Sequence, residues 1–509
     1  MSVFPPKVKL SLYSLVVSLY TLFAFHVPFF SRAAANIERG FNGVMIVLMG
    51  LVLLIGLNYL VVYLLVWCLR RAGRLIVAFF LCGNAIALYF VNNYNVLITD
   101  EMMGNVVNTQ YSEASGFFSL AFVLYILVLG VLPSIYVFKR KVERGSFGRM
   151  MGRIGITAAA IIVAAFGNMS NWPWVDKNST ELGSLLMPWS YIVNTVRYYQ
   201  GEKAKNKQEI PLPDATWVSP EKNICVLMIG ESARQDRFSY YGYPRETNPY
   251  TKEDGVKAFV ADASATYTIA GVKAILEPVD SPELFEILPN YLYRSGVDVQ
   301  WRTSNWGQPP LHIEKYVTIG DLAKEYPDSP AAGYDGLLLE GLREDIEESG
   351  AGKIFIVLHM YTNHGPAYNT NYPPEFEVFT PVCNTVEMSK TSPEELGNAY
   401  DNSVVYSDYL MHSAIEIVKS FPEYRSCVMF VSDHGESLGE NNLYMHGVPF
   451  SMAPREQIEI PFLVWTSDST PLKSLDKVGQ HHVFHSVLRF MGVESPAFNE
   501  KLCIFAAGN

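Results

Sequence analysis

The chain has 509 residues, more than one hydrophobic core ordinarily holds, so at least two domains are expected. Hydrophobic residues make up 49% and charged residues only 17%, a balance that indicates a part of the chain in lipid. The net charge of −11 argues against a nucleic-acid partner, because binding to phosphate backbones needs clustered Lys and Arg.

The amino-terminal third contains apolar runs close to the length of about 20 residues that a bilayer core requires. We predict five membrane-spanning helices there. The fifth run is shorter and rich in Ala, so on length alone it is also compatible with a buried helix. The five runs cover residues 10–30, 44–67, 75–91, 117–138 and 154–166.

The charges of the loops predict the orientation of these spans. Basic residues precede the first run and separate the second from the third and the fourth from the fifth, whereas the third-to-fourth loop is acidic. Because basic segments stay in the cytoplasm, the amino terminus is predicted inside and everything after Asn168 outside. The first run is too long for the apolar core of a signal peptide, so we expect it to be retained.

One polar pattern lies in the outer loop between the third and fourth runs. Asn105, Thr109 and Glu113 are spaced four residues apart and share one face if this stretch is helical. A solvated loop with ordinary polar residues is the alternative interpretation of this pattern.

A polar segment with Pro211 and Pro213, residues 201–219, predicts a linker between the membrane part and the rest. We therefore divide the chain into a transmembrane domain of five helices (1–168), a bridging segment with the linker (169–219) and a soluble domain (220–509).

The soluble part alternates short apolar runs with helical patterns. This order predicts a mostly parallel β-sheet that is covered on both faces by helices. The predicted strands are 224–229, 297–301, 354–358, 428–431 and 462–465, and the predicted helices are 282–295, 392–421 and 482–491.

Polar residues follow several of these strands, at the positions where parallel sheets collect their chemistry. Glu231 follows the first strand, Asp433 and His434 follow the fourth, and His364 and His446 lie in later loops. Carboxylate and imidazole together suit zinc, and manganese less well. Glu231, Asp433 and His434 are therefore candidate zinc ligands, provided that the strand order brings them together. Each of them taken alone is also compatible with a turn or a helix cap.

A nucleophile cannot be chosen from composition, because a hydroxyl near a turn is ordinarily a cap. The candidates are Ser232, Ser264, Thr266 and Thr268.

Six cysteines are present. Cys68, Cys82, Cys225 and Cys427 lie in apolar runs and are predicted to be small buried residues. Cys383 and Cys503 have less apolar surroundings, and the sequence leaves open whether they pair.

Several short sequence motifs, or words, occur in an order that makes the chain resemble the phosphoethanolamine transferases that modify lipid A or the lipopolysaccharide core. This family includes the mobile colistin-resistance enzymes. The resemblance covers nearly the whole length. The words are GESAR at 230–234, GYPRETNP at 242–249, NHGPAY at 363–368, AYDN at 399–402, VSDHGESLGEN at 431–441 and HG at 446–447.

The resemblance implies a multi-span α-helical membrane domain and an α/β domain of the alkaline-phosphatase and sulfatase type. It implies a bacterial inner-membrane protein whose catalytic domain lies in the periplasm. It further implies a zinc-dependent enzyme with phosphatidylethanolamine as the donor and lipid A or lipopolysaccharide as the acceptor.

The resemblance also implies roles for particular residues. Glu231, Asp433 and His434 match the family's zinc ligands. The family nucleophile lies in a Thr-x-Thr word, here Thr266-Tyr267-Thr268, and its second threonine matches Thr268, which also contacts the metal. His364 and His446 match residues that hold the phosphate group or a second zinc. Asn105, Thr109 and Glu113 match residues that bind the lipid substrate.

The chain departs from the family pattern at three places. The stretch after Thr268 lacks the family's cysteine and proline, and Thr391 stands where a partner of Cys383 is expected. Gly307 and Gln308 occupy the region where the family has a lysine. These departures bear on the acceptor more than on the chemistry.

Two other interpretations stay open at this point. One is a phosphoglycerol transferase or a sulfatase on the same scaffold, although the sulfatase word Cys/Ser-x-Pro-x-Arg is absent from the nucleophile loop. The other is a non-catalytic membrane receptor with a decayed site.

Overall fold

The computed structural model describes residues 7–37, 40–109, 114, 116–205, 209–217 and 219–506. The chain separates into two compact units, Met1–Tyr199 and Gln200–Asn509. The division of the chain at residues 168 and 219 stays a prediction.

The first unit is helical. Its helices are α1 Leu10–Phe25, α2 Val27–Asn36, α3 Phe41–Leu69, α4 Arg71–Tyr94, α5 Asp100–Asn108, α6 Leu120–Lys139, α7 Phe147–Phe166, α8 Trp172–Lys177 and α9 Ser179–Gly183, and a further helix, α10 Trp189–Lys205, crosses the boundary between the two units. Within α6 the residues Ile126–Val131 form a π-helical stretch. Two short strands, β1 Val8–Lys9 and β2 Val142–Glu143, pair in parallel.

Four helices of the described chain, α3, α4, α6 and α7, are long and apolar enough to cross a membrane. The helices α1 and α2 add a fifth candidate if they form one span, but they are bent by 61°. The first predicted run is therefore not one straight helix. Pro28 lies in the first turn of α2, where proline is accepted but where it cannot continue α1. The fifth predicted run, whose short length left its nature open, is part of the 20-residue helix α7.

Polar groups inside the helical unit find partners between helices. The Tyr13 hydroxyl donates to the Val137 carbonyl at 3.1 Å, and the Tyr191 hydroxyl donates to Asn84 Oδ1 at 3.0 Å. Such pairing is required where no water is present to satisfy a donor.

The second unit is built on a sheet of eight strands. These strands are β4 Asn223–Gly230, β5 Lys257–Asp262, β6 Asp298–Thr303, β7 Lys315–Thr318, β8 Lys353–His359, β9 Arg425–Ser432, β12 Glu459–Thr466 and β13 Val478–Gly479. Their order in the sheet is β13-β5-β12-β9-β4-β8-β6-β7. Four further short strands pair outside this sheet: β3 Thr216–Trp217 with β14 Val493–Glu494, and β10 Ser437–Leu438 with β11 Tyr444–Met445.

The predicted parallel sheet is confirmed for β9, β4, β8, β6 and β7. The predicted strand at 462–465 belongs to β12, which runs antiparallel to β9. The chain reaches β12 from the carboxyl end of β9 without a crossover helix, and such a connection returns antiparallel. The edge strands β7 and β13, and β5 next to β13, were not predicted.

The helices of this unit are α11 Thr268–Leu276, α12 Leu288–Arg294, α13 Ile319–Glu325, α14 Leu342–Ser349, α15 Pro393–Lys419, α16 Arg455–Ile458 and α17 His482–Met491. The predicted helices 392–421 and 482–491 correspond to α15 and α17. The predicted helix 282–295 is wrong in its first half, because α12 begins at Leu288 and places Pro289 in its first turn. Helix α11, which begins at Thr268, was not predicted.

Part of the polar segment 201–219 packs onto the sheet. Ile210 forms a β-bridge with Phe285, and the Leu212 side chain is buried in the core. Thr216 and Trp217 form the strand that pairs with β14.

Candidate active site

The candidate metal ligands follow two neighbouring strands. Strand β4 leads into Glu231 and strand β9 leads into Asp433 and His434. These strands pair in parallel, with Gly230 opposite Ser432, so both end at the same edge of the sheet. The strand order therefore brings the three residues together, which the sequence left open.

These ligand atoms and one hydroxyl form a compact, buried cluster. Nε2 of His434 lies 3.3 Å from Glu231 Oε1 and 3.3 Å from Asp433 Oδ2. Oγ1 of Thr268 lies 3.3 Å from Glu231 Oε2 and 3.5 Å from His434 Nε2. All four residues are buried.

The spacing of this cluster fits a zinc ion. Bonds of about 2.0 Å in a tetrahedral site place neighbouring ligand atoms about 3.3 Å apart. The four measured separations lie at or close to that value. In addition, Asp433 Oδ2 is buried and accepts no hydrogen bond from any residue that the structure describes. A buried carboxylate oxygen without a donor is stabilised by a cation.

The charges of the cluster also favour a cation. Burial alone raises the pKa of Glu231, but His434 outweighs this effect and holds that pKa well below its usual range. Burial and the repulsion from Glu231 raise the pKa of Asp433 well above its usual value. Burial lowers the pKa of His434, but Asp433 and Glu231 together raise it to about 10. Without a metal, a proton on His434 supplies the positive charge that the carboxylates require.

The orientation of the His434 ring is set by its backbone. Nδ1 lies 2.9 Å from the Gly435 carbonyl oxygen, which can only accept a hydrogen bond. Nδ1 therefore carries a proton, and Nε2, which faces Glu231 and Asp433, is the nitrogen available to a metal.

Thr268 stands out from the other hydroxyl candidates. Of Ser232, Ser264, Thr266 and Thr268, only Thr268 has its hydroxyl within 3.5 Å of both Glu231 and His434 in the described structure. The Thr266 hydroxyl donates to the Val448 carbonyl at 2.6 Å, and the Ser232 hydroxyl donates to Glu231 Oε1 at 2.8 Å. Thr268 is also the first residue of α11, where unpaired N–H groups favour an anion such as phosphate. Its role as the nucleophile stays a prediction.

His446 and His364 complete the site. Nδ1 of His446 lies 2.9 Å from Glu436 Oε2, and its ring centroid lies 4.2 Å from that of His434 and 5.4 Å from that of His364. Burial lowers the pKa of His446. Ligand atoms of Glu231, His364 and His446 lie close enough together to hold a cation, as do those of His434, Glu436 and His446. Both predicted roles, a phosphate contact and a second zinc, stay open.

Sequence reasoning missed Asn305. Its Nδ2 donates to Glu231 Oε2 at 2.7 Å and to the Met360 carbonyl at 3.0 Å, so it orients a candidate metal ligand. Asn305 follows β6, and this strand-end position was the signal that could have identified it.

Arg234 explains why two of the family words occur together. Its buried guanidinium donates to the Glu436 carbonyl at 3.1 Å and to Glu440 Oε1 at 2.8 Å. Arg234 belongs to the word GESAR and both acceptors belong to the word VSDHGESLGEN, so this ion pair ties the two ligand loops together.

The predicted lipid-binding residues lie in the helical unit. Asn105 belongs to α5, and Thr109 ends that helix with its hydroxyl donating to the Asn105 carbonyl at 2.7 Å. Glu113 lies outside the described residues. The lipid-binding role of the three residues stays a prediction.

All six cysteines carry free thiols; the predicted burial is confirmed for Cys225 and Cys427, but Cys82 is half-buried and Cys68 is exposed. Sγ of Cys383 lies 3.2 Å from Thr391 Oγ1, the residue that stands in the place of a partner cysteine. Sγ of Cys503 contacts the Phe505 carbonyl at 3.6 Å. The open question of a Cys383–Cys503 pair is therefore answered in the negative by the structure.

Comparison with known proteins matches both parts of the chain. Residues 54–202 match the family model described as phosphoethanolamine transferase EptA/EptB, and residues 223–493 match the sulfatase model. The chain is 33% identical over 502 residues to phosphoethanolamine transferase EptA of Helicobacter pylori, covering 96% of this chain and 93% of that one. It is 30% identical over 417 residues to phosphatidylethanolamine transferase Mcr-1 of Escherichia coli, covering 76% and 77% of the two chains.

A solved structure shares the whole fold. Integral membrane protein lipooligosaccharide phosphoethanolamine transferase A from Neisseria meningitidis superimposes with a TM-score of 0.89 at 24% identity, covering 98% of this chain and 99% of that one. Together with the long apolar helices, these matches identify a membrane-integral protein with a sulfatase-like domain.

We expect zinc binding to release at least one proton. Zinc must displace a proton from His434, whose pKa is raised to about 10. Its apparent affinity should therefore rise about tenfold per pH unit, for each proton released, between about pH 6.5 and about pH 8.5. Zinc titration of the metal-free protein by calorimetry, in buffers of different ionisation enthalpy, measures this. Glu231→Gln should bind more weakly and with a smaller pH dependence. A pH-independent affinity of the unaltered protein would contradict the ligand assignment.

We expect Asn305→Asp to weaken zinc binding by about tenfold to 100-fold, the usual effect of losing a residue that orients a ligand. The variant loses the donor to Glu231 Oε2 and adds a repulsive carboxylate beside it. Zinc affinity and the melting temperature should be measured together. An unchanged affinity in a folded variant would show that Asn305 does not orient Glu231.

Proposed function

Because the chain belongs to the phosphoethanolamine transferase family, we propose that it transfers phosphoethanolamine from phosphatidylethanolamine to a phosphate of lipid A or the lipopolysaccharide core. The observation that carries this proposal is the position of the Thr268 hydroxyl, 3.3 Å from Glu231 and 3.5 Å from His434. The names of the Helicobacter pylori and Escherichia coli relatives support the donor and the transferred group.

The first step transfers the headgroup to the protein. Oγ1 of Thr268 attacks the phosphorus of phosphatidylethanolamine, the bond to the glycerol oxygen breaks, and diacylglycerol leaves with a proton. Glu231, Asp433, His434 and Thr268 would hold zinc, which would lower the pKa of the Thr268 hydroxyl. The amino-terminal end of α11 faces the developing negative charge on the phosphoryl group.

His364 and His446 act on the phosphoryl group. They stabilise its oxygens, or one of them protonates the leaving oxygen. Glu436 supports the first role for His446, because a carboxylate 2.9 Å from Nδ1 favours a proton on that nitrogen and orients the ring.

The second step transfers the group to the acceptor. A phosphate oxygen of lipid A or of the core attacks the phosphothreonine, and Thr268 is released with its hydroxyl restored. Splitting the reaction lets one site serve two lipid substrates in turn. Attachment of the site to a membrane raises the effective concentration of both substrates.

The alternatives are less well supported. A sulfatase is disfavoured because its modified Cys or Ser word is absent, and a decayed receptor is disfavoured because Glu231, Thr268, Asp433 and His434 form a complete cluster. A phosphoglycerol transferase would differ in the donor headgroup, which the experiment on Thr268 below also identifies.

The location follows from the charge pattern of the loops. We expect the chain in the bacterial inner membrane with its amino terminus in the cytoplasm and the second unit in the periplasm. Alkaline phosphatase, whose disulfides form only outside the cytoplasm, reports this when it is fused to truncated chains. A fusion after Asn95 or after Lys205 should be active, and a fusion after Arg70 should be inactive. The reverse pattern would overturn the orientation.

We expect Thr268→Ala to abolish the transfer, because none of the other candidate hydroxyls that the structure describes lies within 3.5 Å of both Glu231 and His434. Expression in a colistin-sensitive Gram-negative host, followed by mass spectrometry of lipid A and core, measures the product. Thr268→Ser keeps a hydroxyl and should retain part of the activity. Incubation of the purified protein with phosphatidylethanolamine alone should leave one phosphoethanolamine on the peptide that holds Thr268.

Full activity of Thr268→Ala would exclude this residue as the nucleophile. A folded, zinc-loaded wild type that leaves lipid A and core unmodified would exclude both acceptors. A Thr268 peptide that stays unmodified with phosphatidylethanolamine, or a group other than phosphoethanolamine on lipid A or core, would exclude this donor.

A further inference from the structure

Gln480 joins two segments of the site, although it lies far from both in the sequence. It follows β13 and is completely buried. Its Oε1 accepts a hydrogen bond from the Ser264 N–H at 2.9 Å. Its Nε2 donates to the Ser432 carbonyl at 2.9 Å and to the Asp433 carbonyl at 2.6 Å. Both hydrogens of the amide and its oxygen are therefore engaged with backbone groups.

The joined segments carry different parts of the chemistry. Ser264 follows β5 and precedes the nucleophile Thr268 by four residues, whereas Ser432 and Asp433 end β9. In the sheet, β12 lies between β5 and β9. β5 and β9 are each paired with β12 and not with each other, and Gln480 links the segments at their ends directly.

Gly271 of helix α11 also lies against the Asp433 carbonyl. A Cβ atom on Gly271 would lie 2.2 Å from the Asp433 oxygen, far inside any real contact. Helix α11 can therefore approach Asp433 only because residue 271 is glycine. The Asp433 carbonyl is held between the Gln480 amide and the helix that begins at Thr268.

We propose that Gln480 is a positioning residue that sets the distance between the Thr268 hydroxyl and the metal ligands Asp433 and His434. It touches no reacting atom and acts through Ser264 on one side and Asp433 on the other. The proposal rests on the proposed function for its kinetic readout, but not for its metal-binding readout.

The test compares zinc affinity, melting temperature and kinetics of the full-length protein in detergent. Gln480→Met keeps the length of the side chain and removes all three hydrogen bonds without adding charge. We expect zinc affinity to fall about tenfold or more. We also expect kcat for a fluorescent phosphatidylethanolamine to fall at least about tenfold while KM stays within about twofold, because the lipid contacts are unchanged.

The matched control is Gln300→Met. Gln300 is also buried and donates to Asp345 Oδ2, away from the candidate ligands. Its substitution should lower the melting temperature while zinc affinity and kcat stay close to those of the wild type. A purely structural role for Gln480 predicts that both variants lose only stability.

A second arm uses Gly271→Ala, which forces a methyl group against the Asp433 carbonyl. It should lower zinc affinity and kcat in the same direction as Gln480→Met. If Gln480→Met does not fold, Gln480→Glu, which keeps the acceptor for Ser264, and Gly271→Ala carry the test.

The proposal is overturned if a folded Gln480→Met or Gln480→Glu keeps wild-type zinc affinity and kcat. It is also overturned if Gly271→Ala leaves both unchanged. A wild type that binds zinc but transfers no phosphoethanolamine would overturn the proposed function instead, while a lower zinc affinity of Gln480→Met would still support the role of Gln480.

Discussion

The ends of two adjacent parallel strands place Glu231, Asp433 and His434 in one buried volume, with their ligand atoms within 4.8 Å of one another. Two carboxylates at that separation repel by about 3 kcal/mol or more at an effective dielectric constant of about 20. Burial adds a desolvation cost of several kcal/mol for each ion. A proton on Asp433 or His434, or a metal ion between the ligands, relieves this repulsion, and the surrounding structure holds the groups in place.

The residues around the cluster restrict its geometry without contacting the reacting atoms. Asn305 holds Glu231, the Gly435 carbonyl orients His434, and Arg234 ties the two ligand loops together. Gln480 and helix α11, through Gly271, contact the Asp433 carbonyl next to the segment that holds Thr268. A site built in this way keeps its hydroxyl, carboxylates and imidazole at ligand-to-ligand distances before any metal binds, so little reorganisation is needed on binding.

The cysteines of the second unit are free thiols, so no disulfide stabilises it. Cys383 contacts the Thr391 hydroxyl, and Cys225 and Cys427 face each other as buried residues on paired strands. The unit instead buries a continuous core between its sheet and helices α11, α12 and α17, and helix α15 buries further side chains. A unit of this size buries enough apolar surface to be stable without covalent cross-links.

Sequence by itself determined the features that depend on local pattern and on ordered words. The apolar runs predicted the membrane helices, strand-end positions predicted Glu231, Asp433 and His434, and the family words identified Thr268, His364 and His446. Only the tertiary structure decided the antiparallel placement of β12, the bend between α1 and α2, and the contributions of Asn305, Gln480 and Gly271. Asn305 carries only the weak signal of a strand-end position, and Gln480 and Gly271 carry no distinguishing local pattern, because a buried amide or a glycine acquires its role from the backbone carbonyl or carboxylate that a distant strand brings beside it.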